Sequence, residues 1–365
     1  MTKPTFTIEM MPAMHGDALL IEYGHEKIRR LLIDGGPLGA YADVERRLKK
    51  IPSGDQAVEL LVVTHVDTDH VEGIIRLLAQ PTAQWPVYPR EIWFNGWRHI
   101  EEANTLGGRE GEMMSALIHY RANERWNKRF AGKAVRCGAL PGDVVEFGDL
   151  KLTLVTPDAV ALADLRDDWK AKLQGWNVQP GDLAAAWDKL VAADKFHPGT
   201  MLTLGPDELN NTLVKQLKGI DRSKANCSSI GFVAEFGGKS CVFLGDADAR
   251  VVCKALKRLG YSKTKPLVVD AVKVSHHGSR NNITQEFLTL VDAKHWLISS
   301  DGVKFSHPSD QTIEAITVGS IRKPTLWFNY RSDVNKKWEK RAQKPGARFV
   351  TKYPLTGKAG IVVKL

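Results

Sequence analysis

The most constraining feature of this chain is the run LLVVTHVDTDHVEGI at residues 60–74. Its first part, Leu60–Thr64, is almost continuously apolar and rich in β-branched residues, which predicts a strand buried on both faces. Residues 71–78 then follow a helical pattern. A strand, a short loop and a helix in this order indicate a layered α/β fold, in which ligands bind at the carboxyl ends of strands.

The loop between this strand and helix carries four side chains of metal-ligand type: His65, Asp67, Asp69 and His70. Imidazoles and carboxylates crowded into six residues repel and desolvate one another unless a cation gathers them. Because a single polar loop can also be a chance surface cluster, this prediction of a metal site needs support from the rest of the sequence.

Other apolar runs end in residues of the same kind. Residues 242–244 lead to Gly245 and Asp246, residues 271–275 lead to His276, His277, Gly278 and Ser279, and residues 296–299 lead to Asp301, Ser306, His307 and Pro308. One shared metal site explains all of these strand ends, whereas a purely structural explanation needs a separate reason at each of them.

Short β-rich runs alternate with helical patterns along the chain. We predict strands at 5–10, 18–23, 30–33, 58–64, 150–156, 229–236, 239–244, 271–275, 296–299 and 360–364, and helices at 43–50, 71–78, 111–130, 182–193, 249–259, 284–290 and 310–316. The stretches 84–133 and 158–222 fit the strand pattern poorly and have no linker composition at their ends. We therefore predict one domain over residues 1–365, with insertions at about these two positions.

The composition is that of a globular protein, with 43% hydrophobic and 25% charged residues. The first residues lack the apolar run of a signal peptide, and no stretch approaches the roughly 18–20 apolar residues of a membrane helix. We therefore expect a cytoplasmic protein without membrane contact. The four cysteines lack CxxC spacing, which predicts free thiols rather than a disulfide or a zinc–thiolate site.

Positive charge is concentrated in residues 322–352, which are called the basic segment below. The net charge of the chain is +9, and this segment holds ten Lys and Arg residues against two acidic ones. Its aromatic residues are Trp327, Phe328, Tyr330, Trp338 and Phe349. Cations interleaved with aromatics suit a nucleic acid, with Lys336, Lys337, Lys340 and Arg341 as candidate contacts. The alternative is a solvated surface whose aromatic residues pack into the core.

Taken in order, these motifs resemble the metallo-β-lactamase superfamily, and most closely the hydrolase domain of the DNA-uptake protein ComEC and its stand-alone relatives. The similar segments are HGDALLI at 15–21, LIDGG at 32–36, HxDxDH at 65–70, NCSSI at 226–230, GD at 245–246, KVSHHGS at 273–279 and SHP at 306–308. The resemblance skips the two expected insertions. It implies a four-layer αββα sandwich with two metal ions at one edge of the sheets.

The resemblance also implies ligand roles. His65 and Asp67 would hold the first metal, Asp69 and His70 the second, and Asp246 would bridge them. His276 or His277 would complete the second site, and we favour His276 because it ends the predicted strand. Asp17, Asp34 and Asn226 are expected to support the ligands or to form turns.

Two features depart from the family pattern. Asp67 stands where the family usually has a histidine, and this harder ligand could shift the preference from zinc towards manganese or magnesium. Many members also use a further histidine before the GD motif. The candidates here, His99, His119 and His197, lie in the expected insertions, and we predict structural roles for them.

Two bound cations would bring the pKa of a bridging water towards neutrality and clamp the leaving oxygen. Asp69 would steer the resulting hydroxide, and Ser279, Arg280, Lys304 and His307 are candidates for contacting substrate, unless they only cap or solvate their loops. The leading hypothesis is a phosphodiesterase or nuclease. The alternatives are hydrolysis of a small ester, lactone or thioester in the same fold, and a catalytically silent module that binds nucleic acid or a partner protein.

Overall fold

The computed structural model describes residues 4–100, 108–173, 176–196 and 224–365. The strands are β1 (Thr5–Met10), β2 (Leu19–Gly24), β3 (Arg29–Ile33), β4 (Ala57–Val58), β5 (Leu60–Val62), β6 (Tyr88–Pro89), β7 (Ile92–Trp93), β8 (Val144–Phe147), β9 (Leu150–Thr156), β10 (Gly231–Phe236), β11 (Lys239–Phe243), β12 (Leu267–Lys273), β13 (Val291–Ile298), β14 (Thr325–Phe328), β15 (Val350–Lys352) and β16 (Ile361–Lys364). The α-helices are α1 (Tyr41–Leu48), α2 (Thr68–Ala79), α3 (Arg109–Ala122), α4 (Ala159–Leu173), α5 (Leu183–Val191), α6 (Lys224–Cys227), α7 (Ala249–Arg258), α8 (Gln285–Leu290), α9 (Asp310–Gly319) and α10 (Lys336–Ala342).

Two large sheets carry the fold, and each has an antiparallel half and a parallel half. The six-stranded sheet has the order β16-β1-β2-β3-β5-β7, and its strands β3, β5 and β7 are parallel. The eight-stranded sheet has the order β15-β14-β13-β12-β11-β10-β9-β8, and it is parallel from β11 to β15. The carboxyl ends of parallel strands meet at one edge of a sheet, so the loops that follow β3, β5, β11, β12 and β13 can share a site.

Three apolar layers separate four layers of secondary structure. Alternate residues of one strand point to opposite faces, and in β5 Leu60 packs between the two sheets while Leu61 packs under helices α1 to α3. In the second sheet Phe243 of β11 faces the first sheet, whereas Val242 packs under α7 to α10. The order helix, sheet, sheet, helix confirms the expected four-layer αββα sandwich.

The segment 84–133, expected to be an insertion, contributes to this sandwich. Strand β7 pairs with Leu61 and Val62 of β5, and helix α3 packs on α2 in the outer layer. In the segment 158–222, α4 and α5 extend the same outer layer, while 174–175 and 197–222 lie outside the described residues. Within the described chain, no helix has the length and apolar character needed to cross a bilayer. No disulfide bond joins the four cysteines, all of which lie in the described part of the chain.

Candidate metal centre

The residues predicted as metal ligands converge at the edge where the parallel strands end. We call His65, Asp67, Asp69, His70, Asp246, His276 and His277 the metal cluster. The loop after β5 and the first turn of α2 supply the first four, the turn after β11 supplies Asp246, and the turn after β12 supplies the two remaining histidines. Both sheets therefore contribute to one site.

Two glycines allow the backbones of these loops to approach one another. Gly245 has φ +53°, and a Cβ there would lie 2.9 Å from the Cβ of Thr64, the residue before His65. A Cβ on Gly16 would lie 1.9 Å from the carbonyl oxygen of Asp69. Neither position accepts a side chain without moving backbone at the cluster.

His65 and His70 are fixed in their tautomers by hydrogen bonds at Nδ1. Thr64 donates its hydroxyl proton to Asp34 Oδ2 (2.7 Å), so its 3.0 Å contact with His65 Nδ1 requires the proton to lie on that nitrogen. His70 Nδ1 lies 2.8 Å from the same Asp34 oxygen, which can only accept. In the neutral forms of both rings the lone pair therefore lies on Nε2.

The histidines after β12 are held in the same way. His277 Nδ1 lies 3.0 Å from the carbonyl oxygen of Ser299, which requires a proton on that nitrogen. His276 Nδ1 lies 3.2 Å from Asn282 Oδ1, and the amide of Asn282 is oriented by its donation to the carbonyl of Asp246 (3.2 Å). Both imidazoles therefore turn Nε2 towards Asp246.

The Nε2 atoms face acceptors instead of donors. His70 Nε2 lies 3.2 Å from His277 Nε2, and Asp246 Oδ1 lies 3.3 Å from the first and 3.6 Å from the second. Asp69 Oδ2 adds a further carboxylate oxygen 3.5 Å from His277 Nε2. Such a set of buried acceptors needs protons or a cation between them.

The other oxygen of Asp246 faces a second set of nitrogens. Asp246 Oδ2 lies 3.9 Å from His65 Nε2 and 3.6 Å from His276 Nε2. Asp67 Oδ2 approaches the same His65 atom at 3.7 Å, and His65 Nε2 is buried without a hydrogen-bond partner. The two oxygens of Asp246 thus face two different sets of imidazole nitrogens, and the orphaned nitrogen of His65 is consistent with a donor set that holds a metal.

The electrostatics of the cluster point the same way. Burial alone would lower the pKa of His70 and of His277, but the carboxylate of Asp246 outweighs it, raising the former well above its usual value and the latter to about 9. Burial opposes ionisation of Asp246, yet the neighbouring imidazolium groups hold its pKa well below the usual value. The carboxylate is ionised at neutral pH, and a bound cation would take the place of the imidazole protons.

The grouping of ligand atoms revises one expectation. Within the described residues, donor atoms that lie within 4.8 Å of one another include the set His65, His70 and Asp246 and the set Asp69, His70 and His277. His277, and not the favoured His276, therefore lies with Asp69 and His70. The reason is the backbone: both histidines are left-handed, with φ 49° and 52°, and this turn directs the second ring into the cluster.

Of the nine described residues other than glycine that have left-handed backbone, five lie in the cluster or in the loops that carry its motifs. Such conformations are uncommon and are retained where the surrounding structure enforces them. Those next to the cluster are Met14 (φ 53°), Asp34 (φ 58°), His276 (φ 49°), His277 (φ 52°) and Ser306 (φ 54°). This distribution is independent of residue chemistry and also indicates a functional site.

The supporting residues were predicted in part. As expected, Asp34 holds His70. Asn226 lies beside His276, with Nδ2 3.3 Å from Nδ1, but the proton of that nitrogen already faces Asn282 Oδ1, so Asn226 packs next to the ring and does not donate to it. Asp17 Oδ1 lies 3.4 Å from His277 Nδ1, and its other oxygen accepts a hydrogen bond from Lys273 (2.6 Å). The sequence analysis missed the supporting roles of Thr64, Lys273, Asn282 and Ser299; only their positions beside the ligand motifs gave any indication of them.

The four predicted substrate contacts have different environments. The His307 ring lies 5.6 Å from that of His276, and burial lowers its pKa to about 3, so it is neutral at neutral pH. Ser279 is buried, and its backbone N–H donates to the carbonyl of His276 (2.7 Å). Arg280 is exposed on the same loop, and Lys304 lies 3.5 Å from His15, which the sequence analysis did not select.

The additional histidines behave as structural residues where they are described. His99 Nδ1 accepts a hydrogen bond from the backbone of Gly96 (3.0 Å), and burial lowers its pKa to about 3. His119 lies in the last turn of α3 and packs against Tyr120. His197 lies outside the described residues.

In the basic segment most of the named cations are paired with acids. Lys336 pairs with Asp333, Lys337 with Asp310 and Arg341 with Glu314. Its aromatic residues face inward: Trp338 is 1% exposed, Phe328 is buried, and Trp327, Tyr330 and Phe349 are partly buried. The aromatic rings of the basic segment therefore pack against the protein and do not stand exposed for stacking with bases.

Comparisons with known proteins give distant similarities. No family model matches the chain. ComE operon protein 3 of Bacillus subtilis is 25% identical over 171 residues, which cover 44% of this chain and 21% of that protein. The match thus spans about a fifth of that relative's length.

Two of the solved structures that resemble this chain are described as a metal-dependent hydrolase and as a metallo-β-lactamase fold protein. A candidate metal-dependent hydrolase from Parabacteroides distasonis has 12% identity, a TM-score of 0.38, and coverage of 96% of this chain and 93% of that one. The metallo-β-lactamase fold protein YhfI from Bacillus subtilis has 9% identity, a TM-score of 0.38, and coverage of 98% and 99%. The assignment of the αββα architecture rests on this chain's own layers and strand order.

Proposed function

We propose that this chain is a metal-dependent hydrolase of phosphodiesters, with a nucleic acid or nucleotide as substrate. The observation that supports it most is the convergence of His65, His70 and His277 on Asp246, each with Nδ1 tethered and Nε2 turned inward. A cluster without a catalytic role has no need for so many buried acceptors, which are costly to keep without a cation.

Two divalent ions, zinc or manganese, are the proposed cofactors. His65, Asp67 and one oxygen of Asp246 would hold the first, and the remaining cluster residues the second. When bound, such ions activate water at neutral pH and offset the charge on phosphate oxygens. His276 is the exception among these remaining residues: its Nε2 faces Asp246 Oδ2, the oxygen that also faces His65 Nε2, so it would serve the first ion.

The side chains around the cluster have distinct proposed roles. Burial opposes ionisation of Asp69, but the hydrogen bond from His277 keeps its pKa well below the usual value, so the carboxylate is ionised and can orient the attacking water by accepting a hydrogen bond from it. His307 is neutral and lies beside His276, where it can donate a hydrogen bond to a substrate oxygen. Ser279 and the exposed Arg280 are further candidate donors to substrate on the loop after β12.

Nucleic acid as the partner is supported by where the basic segment lies. Helix α10 is connected to the cluster side of the fold because Lys337 pairs with Asp310, the first residue of α9, three residues after His307. Exposed ion pairs of this kind are weak, so a polyanion can compete for their cations. A cytoplasmic location belongs to the same proposal.

The test is a comparison of substrates before and after metal removal. Protein loaded with zinc or manganese should hydrolyse bis(4-nitrophenyl) phosphate, lose this activity on chelation and regain it on reloading. An acyl ester, a lactone and a thioester are assayed in parallel. Should the loaded protein leave this phosphodiester intact but open the lactone or the thioester, hydrolysis of a small ester, lactone or thioester would replace this proposal.

A further inference from the structure

A cavity of about 280 Å³ opens beside the metal cluster. Asp67 and Asp69 line one side of it, Glu110 at the start of α3 lines another, and Phe305 lines a third. Phe305 is 39% exposed, although most large apolar side chains of this protein are buried. The loop 301–308 that carries it is therefore presented to any substrate that reaches the metal cluster.

Lys304 is the cation of this loop, and it differs from the cations of the basic segment. Among the described residues, no carboxylate lies within ion-pair distance of its ammonium group. Its neighbours are neutral instead: Nζ lies 3.5 Å from His15 Nε2 and 5.1 Å from the centre of the Phe305 ring. A cation surrounded by neutral groups at a cleft is available for an anion.

His15 is built to hold this ammonium group in place. An ammonium can only donate, so the contact requires an unprotonated Nε2 on His15. The imidazole is 9% exposed and packs edge-on against Phe305 with ring centres 5.6 Å apart. Burial lowers the pKa of His15 to about 4, with Asp69 and Lys304 acting on it in opposite directions, so the ring is neutral and lies within range of both the cluster and the cation.

We propose that Lys304, positioned by His15, is the residue through which the site selects a negatively charged substrate. This inference rests on the proposed function and narrows it. Lys304 binds a phosphate oxygen beside Phe305, which lines the cavity, and the acidic side chain of Glu110 in the same lining repels that group. Phosphate esters that retain a negative charge are preferred over neutral esters, and His15 acts as a positioning residue for the cation.

The role of Lys304 is tested by the affinity of the metal-loaded protein for inorganic phosphate, measured by isothermal titration calorimetry. A charge-assisted hydrogen bond contributes about 1.5–3 kcal/mol, so Lys304→Met should weaken phosphate binding at least tenfold. His15→Ala should weaken it by an intermediate factor. His15→Gln should restore it to within about twofold, because a side-chain amide oxygen can accept from the ammonium group as Nε2 does.

The matched control is Lys263→Met. Lys263 is exposed in the loop before β12, at the opposite end of the strand from the cluster, so its loss removes the same charge without reaching the cavity. Metal content and thermal unfolding are measured for every variant, so that only variants that are folded and loaded are compared. Phosphate binding by Lys304→Met equal to that of Lys263→Met would overturn the proposal, and parent-like binding by His15→Ala would overturn the role of His15.

A kinetic comparison separates this proposal from the proposed function. Lys304→Met should lower kcat/KM for an anionic nitrophenyl phosphodiester at least tenfold while changing that for a neutral phosphotriester by less than about twofold. Equal losses on both substrates would contradict selection by charge. If the parent protein hydrolyses neither compound but binds phosphate through Lys304, the hydrolase proposal fails and the anion site stands.

Discussion

The metal cluster and the basic segment are the two places where this chain concentrates charge, and they differ in how that charge is balanced. In the cluster, nitrogen and oxygen acceptors face one another in a buried space, as with His70 Nε2 and Asp246 Oδ1 at 3.3 Å. In the basic segment, exposed cations lie next to acids of their own surface, as with Lys337 and Asp310. The first arrangement needs protons or a bound cation between its acceptors, whereas in the second the acids and the cations balance one another.

The comparison shows that a count of charged residues does not distinguish a site from a solvated surface. The basic segment is the more conspicuous feature of the composition, yet its aromatic residues pack inward. Lys304 is a single cation in the loop 301–308, but it lies next to Phe305, which lines the cavity, and its ammonium group contacts the neutral rings of His15 and Phe305. Burial and missing partners, rather than local charge, identify the functional region.

The largest expected effect comes from removing a cluster ligand. Loss of a residue that only supports a metal ligand costs about 10–100-fold, so Asp69→Ala or His70→Ala should lower phosphodiester turnover by more than this, to background. Nucleic-acid binding should remain within about twofold of the parent value. Asp149→Ala, an exposed change in the β8–β9 turn, is the control. Turnover retained in both cluster variants would place the chemistry elsewhere.

Exchanging one cluster ligand should change metal preference without loss of the site. Asp67→His replaces a carboxylate by the softer imidazole, so the affinity ratio of zinc to manganese should rise, by about tenfold. Competition titrations of the two metals on parent and variant give this ratio directly. If it is unchanged, Asp67 is not a ligand and the first metal position is wrongly drawn.

Glu112 is a buried carboxyl group that, within the described part of the chain, has no histidine acting on its pKa. It therefore shows what burial alone does to a carboxyl group outside the cluster. It accepts hydrogen bonds from Trp169 Nε1 and the backbone of Gly181, its second oxygen has no partner, and burial raises its pKa to about 7. The folded state therefore favours the protonated acid. The stability from this group is present below about pH 4.5 and is lost as the pH rises through 7.

Glu112→Gln, which mimics the protonated acid, should therefore match the parent in stability at pH 5 and exceed it by about 2 kcal/mol at pH 8. Chemical denaturation at the two pH values, with exposed Glu124→Gln as the control, measures the difference. A parent-to-variant difference that is the same at both values would mean that this carboxyl is ionised in the folded protein.

The smallest effect is expected from the basic segment. Replacing Lys336, Lys337, Lys340 and Arg341 together should weaken nucleic-acid binding by less than about tenfold near 0.15 M salt and flatten its salt dependence, since exposed paired cations contribute little individually. Turnover of the small nitrophenyl diester should be unaffected. Binding identical to that of the parent would make this segment solvated surface only.

Much of the layered architecture could be predicted because alternating or continuous apolar residues define buried strands. Strands β1 and β9 have the predicted bounds. Strand β12 begins at Leu267, four residues before the predicted start, because Asp270 interrupts the apolar run of the sequence there. Strand β14 and helix α10 were missed, since their buried residues are few and lie among cations; in α10 only Trp338 is buried.

Which residues come together in the cluster was also accessible from the sequence, because they follow predicted strands. The choice between His276 and His277 was not, since it depends on two consecutive left-handed residues that turn the rings in different directions. The role of His15 was hidden for a similar reason. Its partner Lys304 is 289 positions away, and only the fold brings them together.

We propose that the buried histidines and carboxylates form a metal site bridged by Asp246. Its most direct test is the metal content of protein purified without chelator and then reconstituted with zinc or manganese, for the parent and for Asp246→Ala. We predict one to two equivalents of divalent metal in the parent and loss of most of it in the variant. A folded parent protein that binds neither metal after reconstitution would show that these residues do not form a metal site.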